Sequence, residues 1–271
     1  MLNTLRRAYG ENDGEKRRNK MFFRTLNTYL TLVFKFFSLY HKNKKVPEIT
    51  ENEGVVAGRN YSCMVAEKVL SAALGKTGAE IIVEGKENIP QDRNFVLIAN
   101  HQSMLDVLAI YCTLGRPIGF VAKIELRKVP FLRNWMDYAG CLFMDRDDMR
   151  QSMKTILEGI KMVKEGSSLG IFPEGTRTDG PMLEFKGGSF KLATKSGAPI
   201  LPLTIDGTHK ILEDNGGWIK KATIKLTYHP IIETKGMPKD EQNGLSERVQ
   251  GIIGSALKEE FRYGKDKNTD C

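Results

Sequence analysis

The distribution of apolar residues predicts an α/β fold for most of the chain. From Ala79 onwards, short apolar runs alternate with longer amphipathic segments, which is typical of strands joined by helices. The predicted strands are 80–84, 95–99, 118–121, 141–144, 168–172, 200–205 and 222–228. The predicted helices are 104–114, 130–138, 148–165, 187–196 and 246–262. We therefore expect a mixed, mostly parallel sheet flanked by helices.

The segment 21–40 has a different pattern, that of an amphipathic helix. Its polar residues recur every three or four positions among aromatic and aliphatic ones, as Arg24, Thr28, Thr31, Lys35 and Ser38. About 20 apolar residues suffice to cross a bilayer. The charge on Lys35 and the continuous polar stripe instead favour a helix that lies within one leaflet. A helix packed on the protein's own core is the alternative.

The remaining N-terminal residues complete a two-helix arrangement. Pro47, Gly54 and Gly58 predict a loop over 46–60, and a second helix is expected over 61–75. The two helices would form a helical hairpin ahead of the sheet. The predicted organisation is a basic tail at 1–20, a membrane-associating two-helix segment at 21–75, an α/β domain at 76–264 and a tail at 265–271.

Charge and cysteine content restrict the partners and the compartment. The net charge of +8 suits an anionic partner, which is either a lipid surface or a nucleic acid. Basic residues flank the helix predicted at 21–40, and the sequence has neither an RNA-binding motif nor a zinc finger, so we expect an anionic membrane surface and no nucleic acid. Four scattered cysteines and the lack of a secretory signal fit a reducing compartment. We therefore expect peripheral or monotopic attachment to the cytoplasmic face of the cell membrane.

A histidine and an aspartate follow the predicted strand 95–99. His101 stands at the carboxyl end of that strand, where α/β folds keep their active sites. On a continuous helix His101 and Asp106 would lie about 140° apart, so they meet only if His101 stands on the loop before the helix. In that geometry Asp106 fixes the imidazole tautomer and His101 accepts a proton. The alternative is structural: His101 only caps the helix, whose expected N-cap is Ser103, and Asp106 interacts with the helix dipole.

A second motif follows the predicted strand 168–172 and reads Phe172-Pro173-Glu174-Gly175-Thr176-Arg177-Thr178. Its turn exposes a threonine and an arginine, and the arginine guanidinium is well shaped to bind phosphate with two hydrogen bonds. A metal site formed by His101, Asp106 and Glu174 is weakly supported, because no neighbouring histidine or cysteine has a ligand spacing. We expect no metal.

Together these motifs resemble those of the glycerolipid acyltransferases, which carry an Asn-His-x-x-x-x-Asp block and a Phe-Pro-Glu-Gly-Thr block. Two further blocks, 123–146 and 198–203, follow the same order, and the resemblance runs from Val83 to Pro230. It implies the fold of the glycerol-3-phosphate acyltransferases, with His101 and Asp106 as catalytic residues. It also implies a phosphate-binding set, made of Lys123, Arg146, Glu174, Gly175, Thr176 and Arg177, to which Lys186 could add.

The resemblance also implies an activity. A fatty acyl group would pass from an acyl thioester, on coenzyme A or acyl carrier protein, to the sn-2 hydroxyl of 1-acyl-sn-glycerol 3-phosphate (lysophosphatidic acid). The product would be phosphatidic acid, a phospholipid precursor, and the reaction needs no cofactor beyond this co-substrate. The alternatives are the same chemistry on another lysolipid or on glycerol 3-phosphate, and an inactive membrane-binding homologue.

Overall fold

The structure is a computed structural model that describes the backbone of residues 2–178 and 180–263, and side chains from residue 16 onwards, except those of residues 17 and 131, within those ranges. Its helices are α1 (Leu2–Asn43), α2 (Val46–Glu53), α3 (Val55–Thr77), α4 (Asp106–Leu114), α5 (Pro130–Tyr138), α6 (Met149–Lys164), α7 (Lys191–Ser196), α8 (Lys239–Asn243) and α9 (Leu245–Ser255). Its strands are β1 (Glu80–Glu84), β2 (Val96–Ala99), β3 (Gly119–Lys123), β4 (Leu142–Met144), β5 (Leu169–Ile171), β6 (Ile200–Asp206) and β7 (Thr223–Tyr228).

These strands form one sheet in the order β1-β7-β6-β2-β5-β3-β4. All neighbouring strands are parallel except β6 and β7, which are antiparallel. The mixed, mostly parallel sheet confirms the expected fold class. Strand β2 lies at the centre between β5 and β6, and all four of its residues are buried, as an uninterrupted apolar run predicts.

Helices cover both faces of the sheet. On one face, Leu97 and Ala99 of β2 pack with α3, α4 and α5, and α1 lies outside α3. On the other face, Val96 and Ile98 pack with α6, α7 and α9. The two sets alternate along β2 because successive side chains of a strand point to opposite faces.

Helix α1 extends beyond the predicted 21–40 in both directions, so the helix continues into the residues assigned to a basic tail. An amphipathic helix of a soluble protein turns its apolar side toward the core, whereas much of the apolar side of α1 faces away from it. Thr25, Thr28 and Leu39 are buried against the protein, while most of the aromatic and aliphatic residues between them face outward. The hydroxyl of Thr25 accepts a hydrogen bond from the backbone N–H of Ile219 at 2.8 Å, which fixes this orientation. No helix in the described ranges is both long and apolar enough to cross a bilayer.

The loop predicted over 46–60 is wrong, because these residues form α2 and the start of α3. Pro47 stands in the first turn of α2, where its missing N–H costs no hydrogen bond. Gly54, with φ of 93°, separates the two helices. Gly58 lies where α3 crosses α2 so closely that any side chain would collide with Thr50. These residues mark a helix start, a turn and a helix contact.

Smaller differences occur at other helix ends. The helix predicted over 246–262 ends at Ser255, and α8 precedes it. Residues 187–190 form a 3-10 helix before α7. The predicted tail at 265–271 lies outside the described residues.

Candidate active site

His101 and Asp106 meet at the carboxyl end of β2. Asn100 fastens the chain there, because its side-chain amide donates to the carbonyl of Ile205 and accepts from the N–H of Ile205, both at 2.8 Å. His101 then stands on the loop and Asp106 begins α4. Nδ1 of His101 lies 2.8 Å from Oδ2 of Asp106, in the loop-to-helix geometry that the spacing predicts.

Hydrogen-bond donors surround the buried carboxylate of Asp106. Oδ2 also accepts the backbone N–H groups of Gln102 and Ser103, at 2.8 and 2.9 Å. Oδ1 accepts the hydroxyl of Thr208 at 2.6 Å. Because both oxygens of this carboxylate act as hydrogen-bond acceptors, His101 donates through Nδ1 and carries its free lone pair on Nε2. The His101 side chain is 17% exposed and that of Asp106 is 0% exposed, so the basic nitrogen belongs to the group that solvent and substrate can reach.

The Phe172–Thr178 motif holds His101 from the neighbouring strand. The ring of Phe172 stacks on the imidazole with centroids 4.0 Å apart and an interplanar angle of 16°. Oε1 of Glu174 accepts the backbone N–H of His101 at 2.6 Å, and the backbone N–H of Thr178 donates to the carbonyl of His101 at 3.0 Å. The two motifs that the sequence places about seventy residues apart therefore form a single structure.

The carboxylate of Glu174 is engaged with backbone N–H groups of the protein. Its carboxylate is buried, and Oε2 accepts the backbone N–H of Leu183 at 2.9 Å. Burial raises the pKa of Glu174 to about 7, although the hydrogen bonds from Leu183 and His101 oppose the rise. Both oxygens are occupied by backbone donors, and a carboxylate repels phosphate. The contacts thus favour positioning of His101 over the phosphate-binding role that the resemblance implied for Glu174.

Three of the basic and backbone groups expected around phosphate lie close together. The guanidinium of Arg146 donates to the carbonyl of Gly175. Gly175 has φ of 77°, and a Cβ there would lie 2.8 Å from Nζ of Lys186. The positive φ favours glycine at this position, and the Lys186 ammonium lies directly beside the turn. Arg146, Gly175 and Lys186 are brought together by the tertiary structure, although they are spread over 41 positions of the sequence.

The other expected phosphate residues are more exposed. Nη1 of Arg177 lies 3.5 Å from Oε1 of Glu213, and the Thr176 side chain is exposed. Lys123 ends β3, which lies two strands from β2, and its Nζ lies 2.9 Å from Oε1 of Glu125. Both cations thus have an acidic partner, but Arg177 stands on the loop that contacts His101, so it is the better placed of the two.

Ser103 does not cap α4 as expected. Helix α4 begins at Asp106 after Leu105, and the hydroxyl of Ser103 accepts the backbone N–H of Leu105 at 3.0 Å while donating to Oε2 of Glu213 at 2.7 Å. Oε1 of Glu213 also accepts the backbone N–H of Met104 at 3.0 Å. The reason is the tight turn that brings Asp106 under His101, which starts the helix later.

Several groups that hold the site in place were not predicted from the sequence. These are Asn100, Gln102, Phe172, Thr208 and Glu213. Asn100 and Phe172 stand inside the motifs and carried a signal. Gln102, whose Oε1 accepts the N–H of Gly207 at 3.0 Å, also lies inside a motif. Thr208 and Glu213 lie more than a hundred positions from His101, and no local pattern marks them.

Within the described residues, no group of three or more histidine, cysteine, aspartate or glutamate side chains is arranged to hold a metal ion.

Comparison with known proteins identifies the class to which this site belongs. Residues 80–206, which include both motifs, match the Acyltransferase family. The 1-acyl-sn-glycerol-3-phosphate acyltransferase of Borreliella burgdorferi is 32% identical over 197 residues, covering 72% of this chain and 79% of that protein. The enzyme of the same name from Saccharomyces cerevisiae is 31% identical over 186 residues, covering 67% of this chain and 61% of that protein.

A solved structure shows the same architecture. The crystal structure of the 1-acyl-sn-glycerophosphate acyltransferase of Thermotoga maritima superposes with a TM-score of 0.68 at 30% identity, covering 85% of this chain and 94% of that one. The chain therefore belongs to the acyltransferase family, as the resemblance of its motifs to glycerolipid acyltransferases predicted. It is an enzyme of lipid metabolism.

Proposed function

We propose that this enzyme transfers a fatty acyl group from an acyl thioester to the sn-2 hydroxyl of 1-acyl-sn-glycerol 3-phosphate and so produces phosphatidic acid. The observation that carries the proposal is the His101–Asp106 pair, in which a buried carboxylate directs the lone pair of Nε2 outward. The names of the relatives from Borreliella burgdorferi and Saccharomyces cerevisiae support the choice of acceptor.

The chemistry follows from the tautomer. Nε2 of His101 removes the proton of the glycerol hydroxyl as that oxygen attacks the thioester carbonyl, and the ester forms as the carbon–sulfur bond breaks. The imidazolium then returns the proton to the departing thiolate. Asp106 stabilises the imidazolium and holds the ring, while general base catalysis contributes about 10²–10⁴-fold. The thioester is already activated, so the reaction requires no covalent enzyme intermediate.

The acceptor phosphate would bind at the loop that holds His101. Arg177 and the exposed Thr176 lie on that loop, and Arg146 and Lys186 approach it at Gly175. A phosphate that replaces Glu213 as the partner of Arg177 would gain two charge-assisted hydrogen bonds. Binding there would hold the glycerol hydroxyl near Nε2, because the same loop contacts His101 through its backbone.

The membrane would be the source of the acceptor, with the enzyme attached to its cytoplasmic face. Support comes from the outward face of α1, called here the α1 face, whose large apolar residues are 44–73% exposed: Phe22, Phe23, Leu26, Tyr29, Leu30, Val33, Phe34, Phe37 and Tyr40. A continuous apolar surface of this size on an otherwise folded protein indicates a contact with lipid or protein. Basic residues at 16–20 and 42–45 lie at both ends of it, which favours an anionic lipid surface.

A product assay tests the proposal. The purified enzyme and a His101→Ala variant are given labelled acyl-coenzyme A or acyl carrier protein with lysophosphatidic acid in vesicles. We expect labelled phosphatidic acid with the unaltered enzyme and a loss of about 10²–10⁴-fold in kcat with the variant, which still binds the acceptor. Full activity of His101→Ala would exclude the mechanism, and labelling of a different acceptor would reassign the substrate.

A further inference from the structure

We propose that the outward side of α6 is a docking surface for an acidic acyl carrier protein, which delivers the acyl thioester to His101. This inference rests on the proposed acyl transfer and names the donor for it. The surface, called here the α6 face, consists of five residues of α6: Met149, Arg150, Met153, Lys154 and Leu157.

Three apolar side chains on this helix lie in solvent. Met149, Met153 and Leu157 are 82%, 59% and 60% exposed. They recur every four positions, so they form one stripe along the helix. The opposite side of α6 already packs against the rest of the protein, where four of its residues are buried: Thr155, Gly159, Met162 and Val163. An extra apolar stripe on a helix that is already packed indicates a partner, and exposed methionines adapt well to a protein surface.

Exposed basic residues outnumber the exposed acidic ones beside the stripe. Asp147 and Asp148 precede Met149 and Glu158 follows Leu157, but the Asp148 carboxylate is engaged in capping α6. Arg150 and Lys154 each follow a methionine of the stripe, and neither forms an ion pair with any described residue. Helix α7 lies next to α6, so close that a Cβ at Gly159 would come within 2.6 Å of Leu192. It adds the exposed Lys191 and Lys195, and no acidic residue occurs over 185–205. An acidic partner with an apolar patch is the complement of such a surface.

The position of the α6 face suits delivery of an acyl group. Helix α6 begins three residues after Arg146, whose guanidinium contacts Gly175 on the loop that holds His101. The 16 residues of α6 then lead about 24 Å away from the active-site end of the sheet. A carrier docked over Met149 and Met153 would therefore sit at the rim of the site, with a flexible prosthetic arm bridging the remaining distance to Nε2.

The arrangement of layers favours a soluble protein over the bilayer as the occupant. The α1 face lies outside α3, on the side of the sheet covered by α3, α4 and α5. Helices α6 and α7 cover the opposite side. A flat membrane that contacts the α1 face therefore meets the far side of the molecule from the α6 face, which stays available to a partner from solution.

Steady-state kinetics with two donors test the proposal. The Arg150→Glu/Lys154→Glu variant and the unaltered enzyme are assayed with acyl carrier protein and with acyl-coenzyme A, at saturating lysophosphatidic acid. We expect the KM for acyl carrier protein to rise about tenfold and to lose most of its salt dependence, while the KM for acyl-coenzyme A changes less than about twofold. Met149→Ser/Met153→Ser should show the same selectivity for the donor, without a change in folding because both side chains lie in solvent.

A matched control separates the surface from net charge. Lys76→Glu/Lys86→Glu makes the same charge change at exposed residues beside β1, at the other end of the sheet from α6, and both donors should behave as with the unaltered enzyme. An equal loss with both donors, or an enzyme that uses acyl-coenzyme A but never acyl carrier protein, overturns the docking proposal and leaves the proposed function standing. Loss of vesicle binding by Arg150→Glu/Lys154→Glu with an unchanged carrier KM also overturns it, in favour of a lipid contact. No phosphatidic acid with either donor removes the proposed function itself.

Discussion

Nδ1 of His209 lies 2.9 Å from Oδ1 of Asp214, five positions further along the chain. This pair repeats the spacing and the contact of His101 and Asp106, but its surroundings differ. His209 is 3% exposed, and its Nε2 is buried without a hydrogen-bond partner among the described residues. His101, in contrast, follows the central strand β2, and its side chain is 17% exposed. A histidine–aspartate spacing thus creates an available base only where the second nitrogen can meet a substrate.

The two pairs provide a matched test of the tautomer. In Asp106→Asn an amide N–H would face Nδ1 of His101 or the hydroxyl of Thr208, which disfavours a lone pair on Nε2. We expect kcat to fall by about 10²–10⁴-fold with little change in KM for lysophosphatidic acid. Asp214→Asn should keep kcat within about threefold. Steady-state kinetics measure both, and equal losses in the two variants would contradict the assignment.

Thr208 positions Asp106 through a hydroxyl that local sequence does not reveal. In Thr208→Val the buried Oδ1 of Asp106 loses its donor, which costs about 1–3 kcal/mol of folding free energy. The carboxylate then holds His101 less firmly, so kcat should fall about tenfold. Thr208→Ser restores the hydroxyl and should restore both quantities. Urea unfolding and kinetics check this, and a serine variant as impaired as the valine variant would point to packing of the methyl group.

Glu174 predicts a pH dependence of stability. Its pKa rises from 4.5 to about 7 on folding, so between these values the unfolded chain releases a proton that the folded protein keeps. Stability relative to the non-titrating Glu174→Gln should therefore decrease from pH 4.5 to pH 7, by about 3 kcal/mol, and stay level above pH 7. Urea unfolding at a series of pH values measures the difference. Parallel curves for the two proteins would mean that Glu174 titrates normally.

Arg177 is expected to act in binding the acceptor phosphate. In Arg177→Ala the KM for lysophosphatidic acid should rise about tenfold or more at little cost in kcat, since one charged partner of the phosphate is lost. A neutral monoacylglycerol acceptor should be used equally by both proteins. Lys225→Ala, at an exposed lysine paired with Glu84 on the outer strands, serves as the control and should leave KM unchanged. The phosphate role fails if Arg177→Ala leaves the KM for lysophosphatidic acid intact.

The α1 face is expected to bind lipid. Phe34 and Phe37 are 73% and 68% exposed, and Phe34→Glu/Phe37→Glu places two negative charges at this surface. Co-sedimentation with anionic vesicles should fall at least about tenfold, because apolar burial and charge attraction are both lost. Met153→Glu/Leu157→Glu makes an equivalent change on the opposite side and should co-sediment normally. Equal behaviour of the two variants would remove the α1 face as the site of attachment.

Local sequence signals located most elements of the fold. All strands fall within about two residues of the predicted ranges, because each is a short apolar run bounded by polar or glycine residues. The loop predicted over 46–60 is wrong because proline and glycine also occur at helix starts, turns and helix contacts. Pro47 starts a helix, and Gly58 is required by contact with another helix, which a local pattern cannot show.

The sequence by itself predicted the residues of the candidate site. The order of the strand, His101 and Asp106 dictates a loop-to-helix turn, since those side chains cannot meet on a continuous helix. The family follows from the same motifs. The resemblance of these motifs to those of the acyltransferases also marked the arginine-bearing loop as the expected place for phosphate.

Only the tertiary structure decided how these residues are held and which of them are free to react. Thr208 and Glu213 reach the His101 loop from more than a hundred positions away, through the order of strands in the sheet. The packing of the layers buries Glu174, whose carboxylate accepts the backbone N–H of His101. It also buries the second histidine, His209, but leaves the His101 side chain partly exposed. Burial and long-range contacts depend on how the layers pack, so the same five-residue spacing yields an accessible base at one place and an enclosed pair at the other.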